Sequence, residues 1–183
     1  MSLGQDASGE WVLLSYRLPR EPSTPRTAVW RKLKRLGVAQ ISDGLVALPA
    51  GPRSREQLEW VGEEVIDAGG TAAIWLARPA TRGQGERLAA AMAAARAAEY
   101  QSVVAAAHQA AASTDPADRV IALRRLRSEL RGIRRRDYFP PADLDHAEAA
   151  VQALASADAA EEAAAPAATE LAAAELAAAK ETA

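Results

Sequence analysis

Two hydrophobic periodicities alternate along the first 80 residues, and their order constrains the fold more than any other feature of the sequence. In residues 11–19 apolar side chains recur at every second position, which is the period of a β-strand. Residues 24–37 carry apolar side chains at helical spacing instead. Thr24 and Pro25 are residue types that begin helices, and Gly37 is one that ends them. The sequence therefore predicts a strand followed by a helix.

The same alternation continues to residue 77. Residues 38–49 predict a hairpin, because an Asp-Gly pair lies between two apolar runs. A second helix is predicted at 54–68, where Ser54 and Gln57 have the spacing of a capping box. Residues 71–77 predict a last strand. The order β-α-β-β-α-β is the ferredoxin-like arrangement, so the fold class expected is α+β.

The composition changes after Pro79, where alanine becomes frequent. We expect a ferredoxin-like domain at 10–79, a helical extension at 80–157 and a disordered Ala/Glu-rich tail at 158–183. Alanine favours helices, and the extension is expected to hold three of them, at residues 84–112, about 116–136 and 143–157.

The distribution of charge and the absence of cysteine limit the functional classes. Residues 1–139 carry 21 basic and 15 acidic side chains, whereas residues 140–183 carry one basic and nine acidic side chains. The chain has no cysteine, which excludes disulfides, thiolate metal sites and a cysteine nucleophile. We expect no signal peptide, because the first ten residues are polar and lack a basic flank. No apolar run approaches the roughly 20 residues of a membrane span, so a cytoplasmic location is expected.

A first group of cations lies in the segment WRKLKRLG, residues 30–37. Arg31, Lys34 and Arg35 share one face of the predicted helix at i, i+3 and i+4. Two interpretations stay open. This face is either an ordinary solvated surface or a contact surface for phosphate or another anion.

A second group of cations lies on the helix predicted after Pro116. Four aliphatic residues form its packing stripe: Leu123, Leu126, Leu130 and Ile133. Four arginines repeat the same spacing one residue later and lead into Arg135: Arg124, Arg127, Arg131 and Arg134. This helix has no lysine, and the planar fork of arginine suits bidentate contact with oxyanions. The alternative is pairing within the protein, with acidic residues of the second helix (Glu63, Glu64 and Asp67) or with the acidic tail.

Other polar and aromatic residues carry weaker signals. His108 and His146 lack the spacing of a metal site, so we predict neither a metal ligand nor a catalytic residue. Tyr138 and Phe139 directly follow the basic run. They either stack on bases or dock the end of the helix into the core, and we expect docking. The four tryptophans are expected in the core or at an interface.

Three segments resemble a known family: EWVLLSYRLPREPSTPRTAVWRKLKRLG, LVALPAGPRSREQLEWVGEEVIDAGG and AAIWLARP. They resemble the N-terminal domain of ChrB, the chromate-resistance regulatory protein. The similarity covers about residues 10–157 and includes the segment IRRRDYFP. It implies a transcriptional regulator that responds to chromate, and longer members of the family carry a second, C-terminal domain.

A wider resemblance bears on catalysis. The strand, helix and hairpin are similar to those of the CRISPR adaptation nuclease and of the matching domain in PaaX-type repressors. The nuclease places a metal-binding aspartate after a Ser-Tyr pair, whereas here Ser15 and Tyr16 precede Arg17. Because a cation cannot coordinate Mg²⁺, we expect no metal-dependent nuclease. The sequence also shows no glycine-rich phosphate loop, nucleophile elbow or paired-carboxylate signature, so we expect no enzyme.

The function expected from the sequence is therefore regulation of a chromate-resistance operon. The arginine and lysine surfaces would bind DNA, an oxyanion or both, with chromate as the effector and no cofactor. The alternative is an oxyanion-sensing or protein-interaction module that does not bind DNA. A homodimer is left open, and no membrane partner is expected.

Overall fold

The computed structural model describes residues 9–157 and 159–160. Four strands and two helices come first, in the order β1 (Trp11–Arg17), α1 (Ser23–Leu36), β2 (Ala39–Ser42), β3 (Leu45–Pro49), α2 (Pro52–Asp67) and β4 (Thr71–Ala77). Two long helices follow, α3 (Arg82–Ala111) and α4 (Pro116–Arg134), and residues 143–157 are also helical. The predicted α+β class, a ferredoxin-like βαββαβ arrangement followed by long helices, is confirmed.

The four strands form one antiparallel sheet in the order β2-β3-β1-β4. Side chains of β1 alternate between its two faces, and Val12 and Leu14 are fully buried on the face that α2 covers. A Cβ atom placed on Gly62 of α2 would lie 3.6 Å from Leu14 Cδ1 and 3.5 Å from Ala72 Cβ. Both are ordinary van der Waals distances, so Gly62 lies against the centre of the sheet with room for a methyl group.

The hydrophobic core around this sheet draws on every element from β1 to α3. Its largest fully buried side chains include Trp11, Leu14, Leu33, Leu48 and Leu58. Leu33 comes from the apolar stripe predicted for α1, and Leu58 from that of α2. The apolar stripes predicted for the two helices therefore pack into one core.

The predicted helix caps are partly wrong. α1 begins at Ser23, before the predicted cap Thr24, and no side chain caps it. α2 begins at Pro52, so Ser54 lies inside the helix and forms no capping box. Proline suits the first turn because its fixed φ matches the helix and it has no N–H to leave unpaired. The helix therefore starts two residues earlier than predicted.

Three other predicted boundaries are confirmed, and the predicted end of α4 is two residues too late. Gly37 ends α1 with φ of 74°, and its N–H donates to Lys34 O at 3.1 Å. The hairpin turns at residues 43–44, where Gly44 has φ of 73°. At the start of α4, Asp115 Oδ1 accepts a hydrogen bond from Ala117 N at 2.8 Å. α4 ends at Arg134, two residues before the predicted end.

The described residues form two compact units. The first comprises the residues up to Ala98 together with Ile133–Pro141, and the second comprises Glu99–Gly132 and the residues from Ala142 onward. The division of the chain at residues 79 and 157 stays a prediction. The predicted disordered tail lies outside the described residues, apart from residues 159–160, which are helical. None of the described helices combines the length and the apolar character that crossing a membrane requires.

Candidate anion-binding surfaces

The first predicted cationic group is an exposed face of α1. Arg31, Lys34 and Arg35 are all exposed, while Val29 and Leu33 on the opposite side of the helix are buried. The ammonium of Lys34 lies 5.3 Å from the ring centroid of Trp30, within cation–π range. We call the three cations the α1 basic surface. It lies in the first compact unit.

The second predicted group is an exposed face of α4. Its packing stripe is buried, with exposures of 7% for Leu123, 0% for Leu126, 9% for Leu130 and 1% for Ile133. All four arginines at the following positions are exposed. We call them the α4 arginine stripe: Arg124, Arg127, Arg131 and Arg134. Helical geometry alone separates the two stripes, because a shift of one residue turns the side chain by about 100°.

The members of the α4 arginine stripe differ in their interactions. The side chains of Arg124 and Arg127 form no hydrogen bond or ion pair with another described residue, whereas Arg131 and Arg134 do interact with other groups. The predicted pairing alternative therefore does not apply to Arg124 and Arg127 within the described part of the chain. One of the proposed acidic partners, Glu64, is instead bonded to Lys32 of α1.

Two further arginines near the stripe have different surroundings. Arg135 is exposed but follows the last residue of α4, so it does not continue the helical face. Arg119 near the start of α4 is only 6% exposed, and its Nη1 donates to Ser113 O at 2.8 Å. Arg119 therefore closes the loop before α4 and does not belong to the exposed surface.

A cleft at the end of β1 contains functional groups that the sequence analysis did not group together. Its volume is about 580 Å³, and its lining combines cations, aromatic rings and one carboxylate: Tyr16, Arg17, Leu18, Arg26, Trp30, Gln40, Asp43 and Gly44. Arg26 and Trp30, which both line the cleft, lie four residues apart on α1. This spacing is the sequence signal that could have found the cleft.

The groups in the cleft are held by specific contacts. Arg26 Nη2 donates to Pro19 O at 2.8 Å and to Arg20 O at 2.6 Å, which fixes the loop between β1 and α1. Burial raises the pKa of the Tyr16 hydroxyl, and the charge of Asp43 raises it further. Tyr16 therefore remains a hydrogen-bond donor at neutral pH, although Asp43 opposes a second anion in the same cleft.

The aromatic pair after α4 docks into the core of the first unit, as predicted. Phe139 packs against the buried ring of Trp11 with 5.9 Å between centroids. Tyr138 forms a hydrogen bond with Ser54, a buried residue of α2, and burial raises the pKa of Tyr138. The contact gives Ser54 the role of a packing partner in place of the predicted cap.

The remaining candidates offer little to an oxyanion. His108 and His146 are both exposed, and no group of three or more His, Cys, Asp or Glu residues among the described ones could hold a metal ion. A groove of about 410 Å³ on the second face of the sheet has a mainly apolar lining that includes Trp11, Leu13 and Ile41, with Arg78 and Arg87 as its cations. The apolar part of this lining does not compensate the desolvation of a dianion, and only two cations of the described part of the chain border the groove. The α1 basic surface and the α4 arginine stripe remain the better candidates.

The fold and these surfaces define a ferredoxin-like α+β protein with exposed basic helix faces. The chain belongs to the ChrB N-terminal family: the family model described as "Protein ChrB, N-terminal" matches residues 26–170, well over half of the chain. This membership links the protein to chromate resistance. Comparisons with curated proteins and with solved structures found no match. The wider resemblance to the CRISPR nuclease and to PaaX-type repressors stays a prediction.

Proposed function

We propose that this protein is a chromate-responsive transcriptional regulator of a chromate-resistance operon, and that its α4 arginine stripe binds the phosphates of DNA. The observation that carries the proposal is the exposed line of arginines beside a buried aliphatic stripe on the same helix. Like charges at i, i+4 destabilise an isolated helix by a few tenths of a kcal/mol per pair. A polyanion that contacts Arg124 and Arg127 offsets part of this cost.

The length of the stripe favours DNA over a single small anion as its main ligand. Ten residues separate Arg124 from Arg134, which corresponds to about 15 Å along a helix. A tetrahedral dianion such as chromate is much smaller and contacts only neighbouring arginines. A row of phosphates meets the whole stripe, and chromate is then expected to compete at one or two of its members.

The salt dependence of DNA binding tests the proposal. Arg124→Gln with Arg127→Gln removes two charges that have no partner among the described residues. If both contact phosphates, the slope of log K against log salt falls by about 1.8, at about 0.9 per contact. At 0.1 M salt this corresponds to an affinity loss of about 60-fold. The DNA is the upstream region of the protein's own operon.

A matched control removes two charges elsewhere. Arg53 and Arg82 are both exposed and lie at the starts of α2 and α3. Arg53→Gln with Arg82→Gln changes the net charge by the same amount. If phosphates contact the α4 arginine stripe and not these two arginines, this variant should leave the salt slope nearly unchanged. Equal slopes for the two double variants would show that the protein meets DNA through its net charge and not through the α4 arginine stripe.

The response to chromate needs its own measurement. Arg124→Lys with Arg127→Lys keeps both charges but loses the bidentate fork. We expect this variant to retain most of the DNA affinity and to lose sensitivity to chromate. The effect of chromate on DNA binding is compared with that of sulfate and phosphate. An equal effect of all three ions would contradict a specific chromate response.

The alternative function is an oxyanion-sensing or protein-interaction module that does not bind DNA. The cleft at the end of β1 is the observation for it, because Arg17, Tyr16 and Gln40 offer three kinds of donor in one concave place, although the carboxylate of Asp43 opposes an anion there. Chromate binding by calorimetry, together with an absence of DNA binding at 50 mM salt, would support this alternative.

The proposal includes binding of DNA without cleavage. Arg17 is exposed at the end of β1, where the similar nuclease has a metal-binding aspartate. We expect no cleavage of single-stranded or duplex DNA in the presence of Mg²⁺ or Mn²⁺. Cleavage that copurifies with the protein and is lost in an Arg17→Ala variant would contradict this expectation.

A further inference from the structure

Strand β4 is an edge strand without the usual protection. It lies at one end of the sheet order and pairs with β1 over all seven residues without a register shift. No described strand pairs with its outer side. The sequence TAAIWLA contains no charge, proline or glycine, although natural edge strands are commonly protected by lysine, proline, bulges or short length.

Large apolar side chains surround this edge on both faces of the sheet. Trp75 is 58% exposed and Leu76 is 55% exposed, and adjacent residues of a strand point to opposite faces. Ile66 of α2 is 56% exposed. Such a combination of unpaired backbone groups and apolar side chains favours the addition of another strand.

We infer that β4 pairs with β4 of a second copy of this chain, antiparallel and about a two-fold axis, to form a continuous eight-stranded sheet. This inference goes beyond the proposed function and does not depend on it. A register centred on Ile74 places Trp75 opposite Ala73 of the partner subunit and Leu76 opposite Ala72 of the partner subunit. Trp75 and Leu76 therefore each meet a small side chain, Ile74 lies opposite Ile74 of the partner subunit, and no charge is buried.

Helix α2 runs antiparallel to β4, with its middle above the middle of the strand. Gly62 lies over Ala72, as its close approach shows, while Arg55 and Glu59 line a cleft with Leu76. Ile74 lies midway between Ala72 and Leu76 on the strand, so the part of α2 that lies over Ile74 is the part near Glu59. A two-fold axis through Ile74 therefore passes near Glu59.

The charges of α2 are self-complementary about this axis. Arg55, Glu59 and Glu63 follow one another at four-residue intervals on one face of the helix, and Arg55 Nε donates to Glu59 Oε1 at 2.7 Å. The two-fold axis brings Arg55 opposite Glu63 of the partner subunit, and the reverse pair forms by symmetry. This pattern favours a second copy over a strand from an unrelated protein.

The oligomeric state of the full chain tests the inference. Sedimentation equilibrium from 1 to 100 µM should show a monomer–dimer equilibrium for the wild type. Trp75→Lys places a charge at the interface and should weaken the dimer at least tenfold, while circular dichroism confirms that the variant is folded. The matched control is Ile41→Lys, because Ile41 is 43% exposed on β2 at the opposite edge of the sheet. It should leave the dimer unchanged.

A charge exchange separates the proposed interface from other dimers. Arg55→Glu and Glu63→Arg should each weaken the dimer, and the double variant should restore it. A monomeric wild type at 100 µM would overturn the inference. A dimer that Trp75→Lys leaves intact, or that Ile41→Lys disrupts, would also overturn it, because either result places the contact elsewhere. Failure of DNA binding leaves these measurements unaffected.

Discussion

Replacing Gly37 with alanine tests whether the left-handed turn after α1 is required by the tertiary structure. Gly37 has φ of 74° and ψ of 31°, a conformation that costs an L-residue roughly 1–2 kcal/mol. A Cβ atom at this position would lie 2.9 Å from Arg136 O and 2.6 Å from Arg96 Nη1. Arg96 is only 8% exposed, so its guanidinium has little room to move.

The expected loss of stability follows from these contacts. The backbone conformation contributes about 1 kcal/mol, and forcing a methyl group into a filled space contributes about 1–3 kcal/mol. Alanine also reduces the entropy of the unfolded chain, which offsets roughly 0.4–1 kcal/mol. The net destabilisation expected is about 1–3.5 kcal/mol, centred near 2 kcal/mol. For a chain of this length, this corresponds to a decrease in Tm of about 8 °C.

The same substitution at Gly83 is the matched control. Gly83 lies in the first turn of α3, and a Cβ atom there would meet only Arg87 Nη1 at 3.6 Å, an ordinary van der Waals distance. Alanine favours a helix over glycine by up to about 1 kcal/mol, so Gly83→Ala should be neutral or stabilising. Urea unfolding monitored by circular dichroism measures both variants. A loss below about 0.5 kcal/mol for Gly37→Ala, or the same sign for both variants, would refute the reasoning.

Three further predictions concern stability. Leu126→Ala should cost about 2–5 kcal/mol because Leu126 is fully buried, whereas exposed Arg127→Ala should stay within about 0.5 kcal/mol; thermal unfolding of both variants compares the two stripes. Burial raises the pKa of Tyr138 in the folded protein above its value of about 10 in the unfolded chain. The stability that the neutral hydroxyl contributes is therefore complete below about pH 10 and is lost as the pH rises through the pKa of the folded state. Tyr138→Phe should lose about 1 kcal/mol at pH 7 with its Ser54 hydrogen bond and show a shallower decline above pH 10, and an unchanged alkaline slope would contradict this. Glu64→Gln should cost at most about 1 kcal/mol, since the ion pair with Lys32 is exposed, and unfolding at 0.05 and 1 M NaCl should show that the difference shrinks with salt.

Only part of the candidate site could be predicted from the sequence. The exposure of Arg124 and Arg127 beside the buried Leu126 follows from helical periodicity, so the sequence predicted it. The cleft at the end of β1 was missed because it joins the end of a strand, a loop and a helix. Arg26 contacts two carbonyl oxygens of that loop. Loop backbone has no periodicity, so its carbonyl positions cannot be predicted from residue spacing.

The sequence by itself determined the order and the approximate bounds of the strands and helices. Burial of an apolar face imposes a period of two on a strand and of 3.6 on a helix, and this local signal survives in the sequence from residue 11 to residue 77 and again in the aliphatic stripe of α4. Helix α3 was predicted from its alanine content instead. Only the tertiary structure decided which strand lies at the edge. β1 pairs with both β3 and β4, and this long-range pairing leaves β4 with one side open. Trp11 and Trp75 both occupy apolar strands, yet Trp11 is 2% exposed and Trp75 is 58% exposed. The difference arises from their neighbours in space, since Phe139 covers Trp11 from a distant part of the sequence.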